Sequence, residues 1–251
     1  MIQTIRKAWN IPELRKKIVF TLLILLIYRI GNAIPVPYVD VGALSEYLNS
    51  MKTTVLGLYN VMSGGAFADA TVFALSIQPY INASIIIQLL TVAIPALERM
   101  AREEGEEGRK KIASITRYTT VGIGLIQGFA YYMLMRNQYN ILTNDSIAAA
   151  FVIIVTFVAG SAFIMWLGEQ ITEFGIGNGI SIILFASIIS RIPAGIGTMY
   201  SNREVLGVPG IVGILVGLLA LIVLITHVYN AERRIPVQYA KRQVGRKMYE
   251  I

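Results

Sequence analysis

Two carboxylates four residues apart, Glu169 and Glu173, are the first place in this sequence where chemistry could be done. At that spacing they share one helix face, and a transporter could pass protons between them. They also close an apolar run, and a solvated helix end is the simpler account. The rest of the inventory argues against catalysis. The only histidine is His227, so no histidine pair exists for a metal or a relay. With no cysteine, disulfides, cysteine-ligated zinc and thiol catalysis are excluded. No H-E-x-x-H, G-x-S-x-G or Walker A pattern occurs. Gly175, Gly177 and Gly179 imitate a phosphate loop, but no strand precedes them; close packing through small residues is the plainer reading. The chain is therefore read as a non-enzyme with no cofactor and no metal.

The unusual polar residues lie in an apolar stretch, "SGGAFADATVFALSIQPYINASIIIQLL" (63–90). Gln78 and Asn82 share one helix face, Ser84 and Gln88 another. In lipid such groups find partners on another helix or face a cavity. Gly64 and Gly65 permit unusual backbone angles, and Pro79 breaks a helix. Together they predict a second segment in two pieces: a short leading helix near 66–76, then a main helix from about Pro79. Ile77 and Ile81 are four apart, as are Ile180 and Leu184. An apolar constriction can gate by dewetting, but by pattern alone such pairs read as packing. Arg29 lies near the outer end of an apolar run, where it can snorkel to the interface. His227 reads as interfacial.

These residues need membrane helices to hold them. The 251-residue chain is 55% hydrophobic and 15% charged, whereas soluble domains average about 45–50% and about 25%. A span needs roughly 20 mostly apolar residues for a core about 30 Å thick. Six segments qualify: from Ile18 to about Pro35, Ala70–Leu97, Tyr118–Met135, Ser146–Gly168, Phe174–Ser190, and a sixth within Val205–Asn230. Backbone groups inside lipid must pair internally, so helices are expected. Seventeen of the 22 bases fall in the tail to Lys17, the insert 98–117 and the segment 231–251. With six spans these lie on one side, and the positive-inside rule puts both termini in the cytoplasm. The insert 98–118 reads as a solvated hairpin tip. The basic start before Ile18 resembles a signal peptide, but no A-x-A-like site follows, so it is read as an uncleaved first helix.

Four stretches, "RIGNAIPVP" (29–37), 63–95, "WLGEQITEFGIGNGISII" (166–183) and "ERRIPVQYAKRQVGRKMY" (232–249), together resemble the SecY family, the pore-forming subunits of the bacterial protein-conducting channel. The resemblance covers essentially the whole chain. It implies an all-α, polytopic membrane helix bundle with a split second segment. Unfolded secretory polypeptides would cross the plasma membrane through it, and membrane segments would leave through a lateral gate. It places a plug at about 63–75, beginning Ser63, Gly64, Gly65, Ala66, Phe67, Ala68 and Asp69. The hydrophobic pore ring falls on Ile77, Ile81, Ile180 and Leu184, and lateral-gate positions on Ser84 and Gln88. It implies contact with the ribosome or the SecA ATPase through Arg233, Arg234, Lys241, Arg242, Arg246 and Lys247. The other implied partners are SecE, SecG, signal sequences, nascent chains and lipids, with a multi-pass location in the bacterial inner membrane and a cytoplasmic N-terminus.

The expected organisation is a cytoplasmic amphipathic tail (1–17), a first five-helix half (18–204), a sixth transmembrane helix (205–230) and a truncated basic cytoplasmic loop (231–251). Ten-span family members continue further, so six spans alone are expected to be inactive. Two other functions fit parts of the sequence. Broken helices suit a solute or ion secondary transporter, though no midplane charge cluster supports one. A membrane-embedded enzyme would need a catalytic constellation that the sequence lacks.

Overall fold

The computed structural model describes residues 9–51, 54–138, 141–232, 242–244 and 247–249. They belong to two compact units, Met1–Pro193 and Ala194–Ile251. In the first, α1 (Pro12–Gly31) opens on a proline, whose missing N–H costs nothing in a first turn. Next come α2 (Val41–Ser50), capped by Asp40 Oδ1 accepting from Ala43 N at 3.1 Å, and α3 (Val55–Met62).

Residues 63–77 form successive turns, not the helix expected near 66–76. Gly64 and Gly65 have φ of +68° and +97°, and Ala70 and Ser76 also have positive φ, at +40° and +52°. Those angles forbid a right-handed helix. The segment pairs instead with the extended chain after α1: Val36 N donates to Ala70 O and Val72 N to Ile34 O, both at 2.9 Å.

α4 (Gln78–Ala93) begins where the turns end, and Pro79 lies in its first turn rather than breaking it. Ile94 is extended, as a residue before proline prefers, and Pro95 starts α5 (Pro95–Arg102) at a bend of 101°. α6 (Gly105–Arg136) follows almost at once. The insert 98–118 joins packed helices and is largely exposed, so the solvated tip expected there is a helical corner with a turn at 103–104. Its charges sit at helical spacing, with Arg102–Glu98 at 3.2 Å and Lys111–Glu107 at 3.4 Å. Lys111 is held above lysine's usual pKa, first by its hydrogen bond to Glu104 and then by the charges of Glu104 and Glu107. At about 1.5 Å per residue, the 32 residues of α6 are longer than a bilayer core is thick, so its charged first turns project beyond the apolar part.

α7 (Ile147–Phe174) is capped by Ser146 Oγ, which accepts from Ala149 N at 3.2 Å. It runs six residues past the expected end at Gly168 and takes in Phe174, where the fifth span was expected to start. That span begins instead with α8 (Gly179–Ile189), capped by Asn178 Oδ1 accepting from Ile180 N at 3.1 Å and Ser181 N at 3.2 Å.

Two apolar clusters fill this unit. One gathers Leu44, Phe67, Tyr131, Met135, Ile153 and Phe157 around the first half of α7. The other gathers Ile24, Tyr28, Phe73, Ile77, Ile164, Leu167, Ile171 and Ile183 around its second half.

In the second unit, most of α9 (Ile192–Ser201) precedes α10 (Arg203–Tyr229), which is interrupted at Gly207 (φ +62°) ahead of Pro209. The Arg203 guanidinium lies 4.3 Å from the Tyr200 ring centroid. β1 (Arg242–Val244) and β2 (Lys247–Tyr249) pair antiparallel, a hairpin that the all-helical expectation left out.

Among the described residues, Ile147–Phe174, Gly179–Ser201 and Gly207–Tyr229 are long and apolar enough to cross a bilayer, and the bent α4–α5 pair makes a fourth candidate. α1 falls short because Arg15, Lys16, Lys17 and Arg29 punctuate it, and α6 because threonines, tyrosines and Gln127 dilute it.

Candidate functional site

Ile77 and Ile81 stand one helical turn apart at the start of α4, with Ile81 N donating to Ile77 O at 3.1 Å. Ile180 and Leu184 stand one turn apart on α8. The fold brings all four into the second cluster: Ile77 is fully buried, and the other three are half-buried against it.

Glycine makes this approach possible. A Cβ on Gly179 would lie 2.0 Å from the carbonyl oxygen of Gly168, so α8 can press onto α7 only without side chains there. A Cβ on Gly168 would meet Ile180 Cγ1 at 3.4 Å and Ile77 Cδ1 at 3.6 Å, which puts the two isoleucines over the same point of α7. Gly177, at φ +63°, turns the chain between the helices. The three-glycine run is therefore a tight turn with close helix packing, as the sequence suggested.

Beside Ile180 lies a polar cavity of about 500 Å³, lined in part by Tyr80, Arg117, Glu169, Glu173, Asn178 and Ile180. Arg117 Nε donates to Glu169 Oε1 at 2.8 Å, joining α6 to α7. The sequence marked Glu169 as a helix end or, with Glu173, a carboxylate pair, but not its partner; a partner 52 positions away leaves no local signal.

Residues 63–69 lie at the other end of the 63–77 segment, and all but Gly64 and Asp69 are buried. Ser63 Oγ accepts from Phe67 N at 3.1 Å, and Asn60 Oδ1 accepts from Ala68 N at 3.0 Å. The Phe67 ring stacks on Tyr131 with centroids 4.2 Å apart, and the Tyr131 hydroxyl donates to Phe67 O. Tyr59 Oη donates to Leu75 O at 3.2 Å. Further along, Phe73 stacks on Tyr28 with centroids 5.8 Å apart, and Tyr28 Oη lies 2.6 Å from Ser187 Oγ. Because Ser187 Oγ donates to Ile183 O at 2.9 Å, the tyrosine is the donor to the serine. Of these aromatic residues only Phe67 was named from the sequence, as one position of the plug.

Of the polar line on α4, Gln78 Nε2 lies 3.3 Å from Met62 Sδ. Ser84 is half-buried and Gln88 exposed, and neither side chain makes a hydrogen bond among the described residues. Arg29 is exposed in the last turn of α1, and His227 is exposed in α10. No cluster of metal-ligating side chains occurs among the described residues. Arg233, Arg234, Lys241 and Arg246 lie outside the described residues, and Arg242 and Lys247 are placed by backbone pairing alone.

The family model SecY matches residues 71–251. This chain belongs to the SecY family. It is 43% identical over 261 aligned positions to the protein translocase subunit SecY of Streptomyces scabiei, covering 99% of this chain and 60% of that protein. The Aquifex aeolicus subunit is 41% identical, with 99% and 60% covered. That of Escherichia coli K12 is also 41% identical, with 96% and 55% covered. The chain thus spans about 55–60% of the length of these curated relatives.

Solved structures agree on the fold. A SecY channel described as closed and stabilised by its plug domain superposes with a TM-score of 0.62 at 21% identity, over 94% of this chain and 52% of that one. Canine Sec61 from a ribosome–channel complex gives 0.59 at 19% identity, over 90% and 50%. The architecture is a SecY-like helix bundle, and the protein is a multi-pass membrane protein. The relatives are translocase subunits and not known enzymes, and none of them supports the transporter reading.

Proposed function

We propose that this chain forms the first part of the central pore of a protein-conducting channel, passing unfolded polypeptides across the bacterial plasma membrane and releasing apolar segments sideways into lipid. The observation that carries the reading is the convergence of Ile77, Ile81, Ile180 and Leu184 from two helices, beside a non-helical segment, 63–77, that the channel reading places at membrane depth. Irregular backbone survives at that depth only where protein or a water-filled cavity covers it. Branched aliphatic side chains close around a moving chain without offering it a fixed hydrogen-bond partner. They exclude ions by dewetting when no chain is present.

On this reading 63–75 is the plug, Ser84 and Gln88 flank the lateral gate, and the organisation is a tail (1–17), a five-helix half (18–204), a sixth helix (205–230) and a basic loop (231–251). The N-terminus is cytoplasmic, which leaves most of the bases on that side. Arg233, Arg234, Lys241, Arg242, Arg246 and Lys247 face a polyanionic or acidic partner, the ribosome or SecA, by salt-sensitive attraction. SecE and SecG complete the complex. The sequence carries no nucleotide-binding motif, so the partner supplies the energy.

Site-specific crosslinking tests the proposal. The chain has no cysteine, so Ile81→Cys gives a unique thiol in a complete channel holding a stalled secretory polypeptide. Crosslinking at Ile81, with none at the exposed Leu219→Cys control on α10, is the expected result. Equal or absent labelling in a complex that translocates would reduce Ile81 to ordinary packing.

A further inference from the structure

We infer that Arg191 is a positioning residue that latches the 60–68 turn onto the end of α8 and so holds the plug in its resting place; this rests on the channel reading above. The contact is built around two glycines. A Cβ on Gly65 would fall 1.9 Å from Arg191 Nη2, 2.3 Å from Cζ and 2.8 Å from Nε. Three guanidinium atoms at that range mean the planar group lies flat on the Gly65 backbone, where any side chain would displace it. A Cβ on Gly64 would fall 3.0 Å from Ser187 O and 3.1 Å from Ser190 Oγ, so the end of α8 abuts that residue too. Both glycines have positive φ, so the turn is shaped to receive this surface.

The guanidinium also reaches a junction. Arg191 Nη2 donates to Asn60 Oδ1 at 3.5 Å. The same oxygen accepts from Ala68 N at 3.0 Å, and Asn60 O accepts from Gly65 N at 2.9 Å. One asparagine thus ties α3 to both ends of the 65–68 turn, and Arg191 fastens it to α8. A cation just past the C-terminus of α8 is favoured by the helix dipole, but that does not explain why its side chain folds back over Gly65. Among the described residues Arg191 forms no ion pair, so nothing there competes for it. Lysine is a poor substitute, because a point charge on a flexible stem cannot lie flat against a peptide.

The test uses the complete channel complex in liposomes, reading resting ion leak and motor-driven export in parallel. Arg191→Met removes the guanidinium at similar length. It should raise the leak about three- to tenfold, the population change set by one ordinary hydrogen bond, and leave export undiminished. Asn60→Asp keeps the acceptor for Ala68 N and adds a charge. It should lower the leak with Arg191 present and fail to do so in the Arg191→Met background. Wild-type leak in Arg191→Met, the same Asn60→Asp effect in both backgrounds, or a parallel loss of export would overturn the latch. A channel lacking 63–70 serves as reference. If it leaks and Arg191→Met does not, the latch alone is wrong; if it does not leak, the plug assignment falls and the latch with it.

Discussion

Gly160→Ala adds one methyl group to the middle of α7, and its cost can be worked from the packing. The new Cβ would lie 1.9 Å from the carbonyl oxygen of Val72 and 2.9 Å from its carbonyl carbon, whereas ordinary contact begins at 3.4 Å. The obstacle is backbone, so rotamer changes cannot relieve it. The 70–72 segment must retreat by the difference, 1.5 Å. That segment is held by two 2.9 Å bonds, Val36 N to Ala70 O and Val72 N to Ile34 O, and such a movement carries at least one beyond hydrogen-bonding range. Overpacking costs about 1–3 kcal/mol and a lost hydrogen bond about 1 kcal/mol. Replacing glycine by alanine in a helix returns about 1 kcal/mol. The net is a loss of about 2 kcal/mol, a fall in Tm of about 4–8 °C for a chain of this size. Gly122→Ala on α6 is the control, because nothing lies within 4 Å of its Cβ position. It gains helix propensity without a clash. Thermal unfolding followed by the fluorescence of Trp166, which stacks on Phe163 with centroids 5.6 Å apart, reads both variants. Equal Tm for the two, or a rise for Gly160→Ala, would refute the account of why α7 carries glycine there.

Tyr131→Phe keeps the stack on Phe67 and removes the hydroxyl that donates to Phe67 O, an oxygen that still accepts from Ala70 N at 3.2 Å; the same melt should show a loss of about 1 kcal/mol, against about 3–5 kcal/mol for Tyr131→Ala. Ser76→Gly should raise stability, because Ser76 has φ +52° and a buried hydroxyl without a partner among the described residues. Relief of left-handed strain and of the buried hydroxyl, about 1 kcal/mol each, exceeds the entropy cost of glycine, about 0.5–1 kcal/mol; a lower Tm would show that the hydroxyl is stabilised in place.

The sequence revealed which residues are special more readily than what they do. Gly64, Gly65 and Pro79 marked irregular backbone, and it is there. Pro79, however, sits where a helix tolerates proline best, and the helix expected near 66–76 gave way to turns. Alanine-rich chain favours helix locally, but its pairing with 34–36 and the positive φ of Ala70 and Ser76 prevail. The 98–118 corner carried a signal that was passed over: Glu98/Arg102 and Glu107/Lys111 are four apart, the spacing of ion pairs on a helix. Its Gly108 is needed because the Met100 carbonyl oxygen stands 1.9 Å from where a Cβ would be. The long-range pairings left no mark in the sequence. Tyr28 meets Ser187 across 159 positions, Tyr131 meets Phe67 across 64, and Arg117 meets Glu169 across 52. Aliphatic residues four apart could not be told from packing, because collar and core use the same side chains at the same spacing.

On the proposed plug reading, the hydrogen bonds of 63–77 bear on how one segment could both seal a pore and leave it. About half are internal, among them Ala66 N to Ser63 O, Asp69 N to Gly65 O, Thr71 N to Ala66 O, Ala74 N to Thr71 O and Ser76 N to Phe73 O. They survive if the segment moves as a body. About as many reach outward, to Ile34, Val36, Tyr59, Asn60, Val61 and Tyr131. At about 1 kcal/mol each, these outward polar ties contribute several kcal/mol to the seated position. That is the range in which a binding partner can shift a two-state equilibrium. A regular helix across 66–76 would have paired its backbone within itself and lost the two strand-like bonds to 34–36. On that reading, turns give a seal that is tied to its surroundings yet needs no unfolding to move.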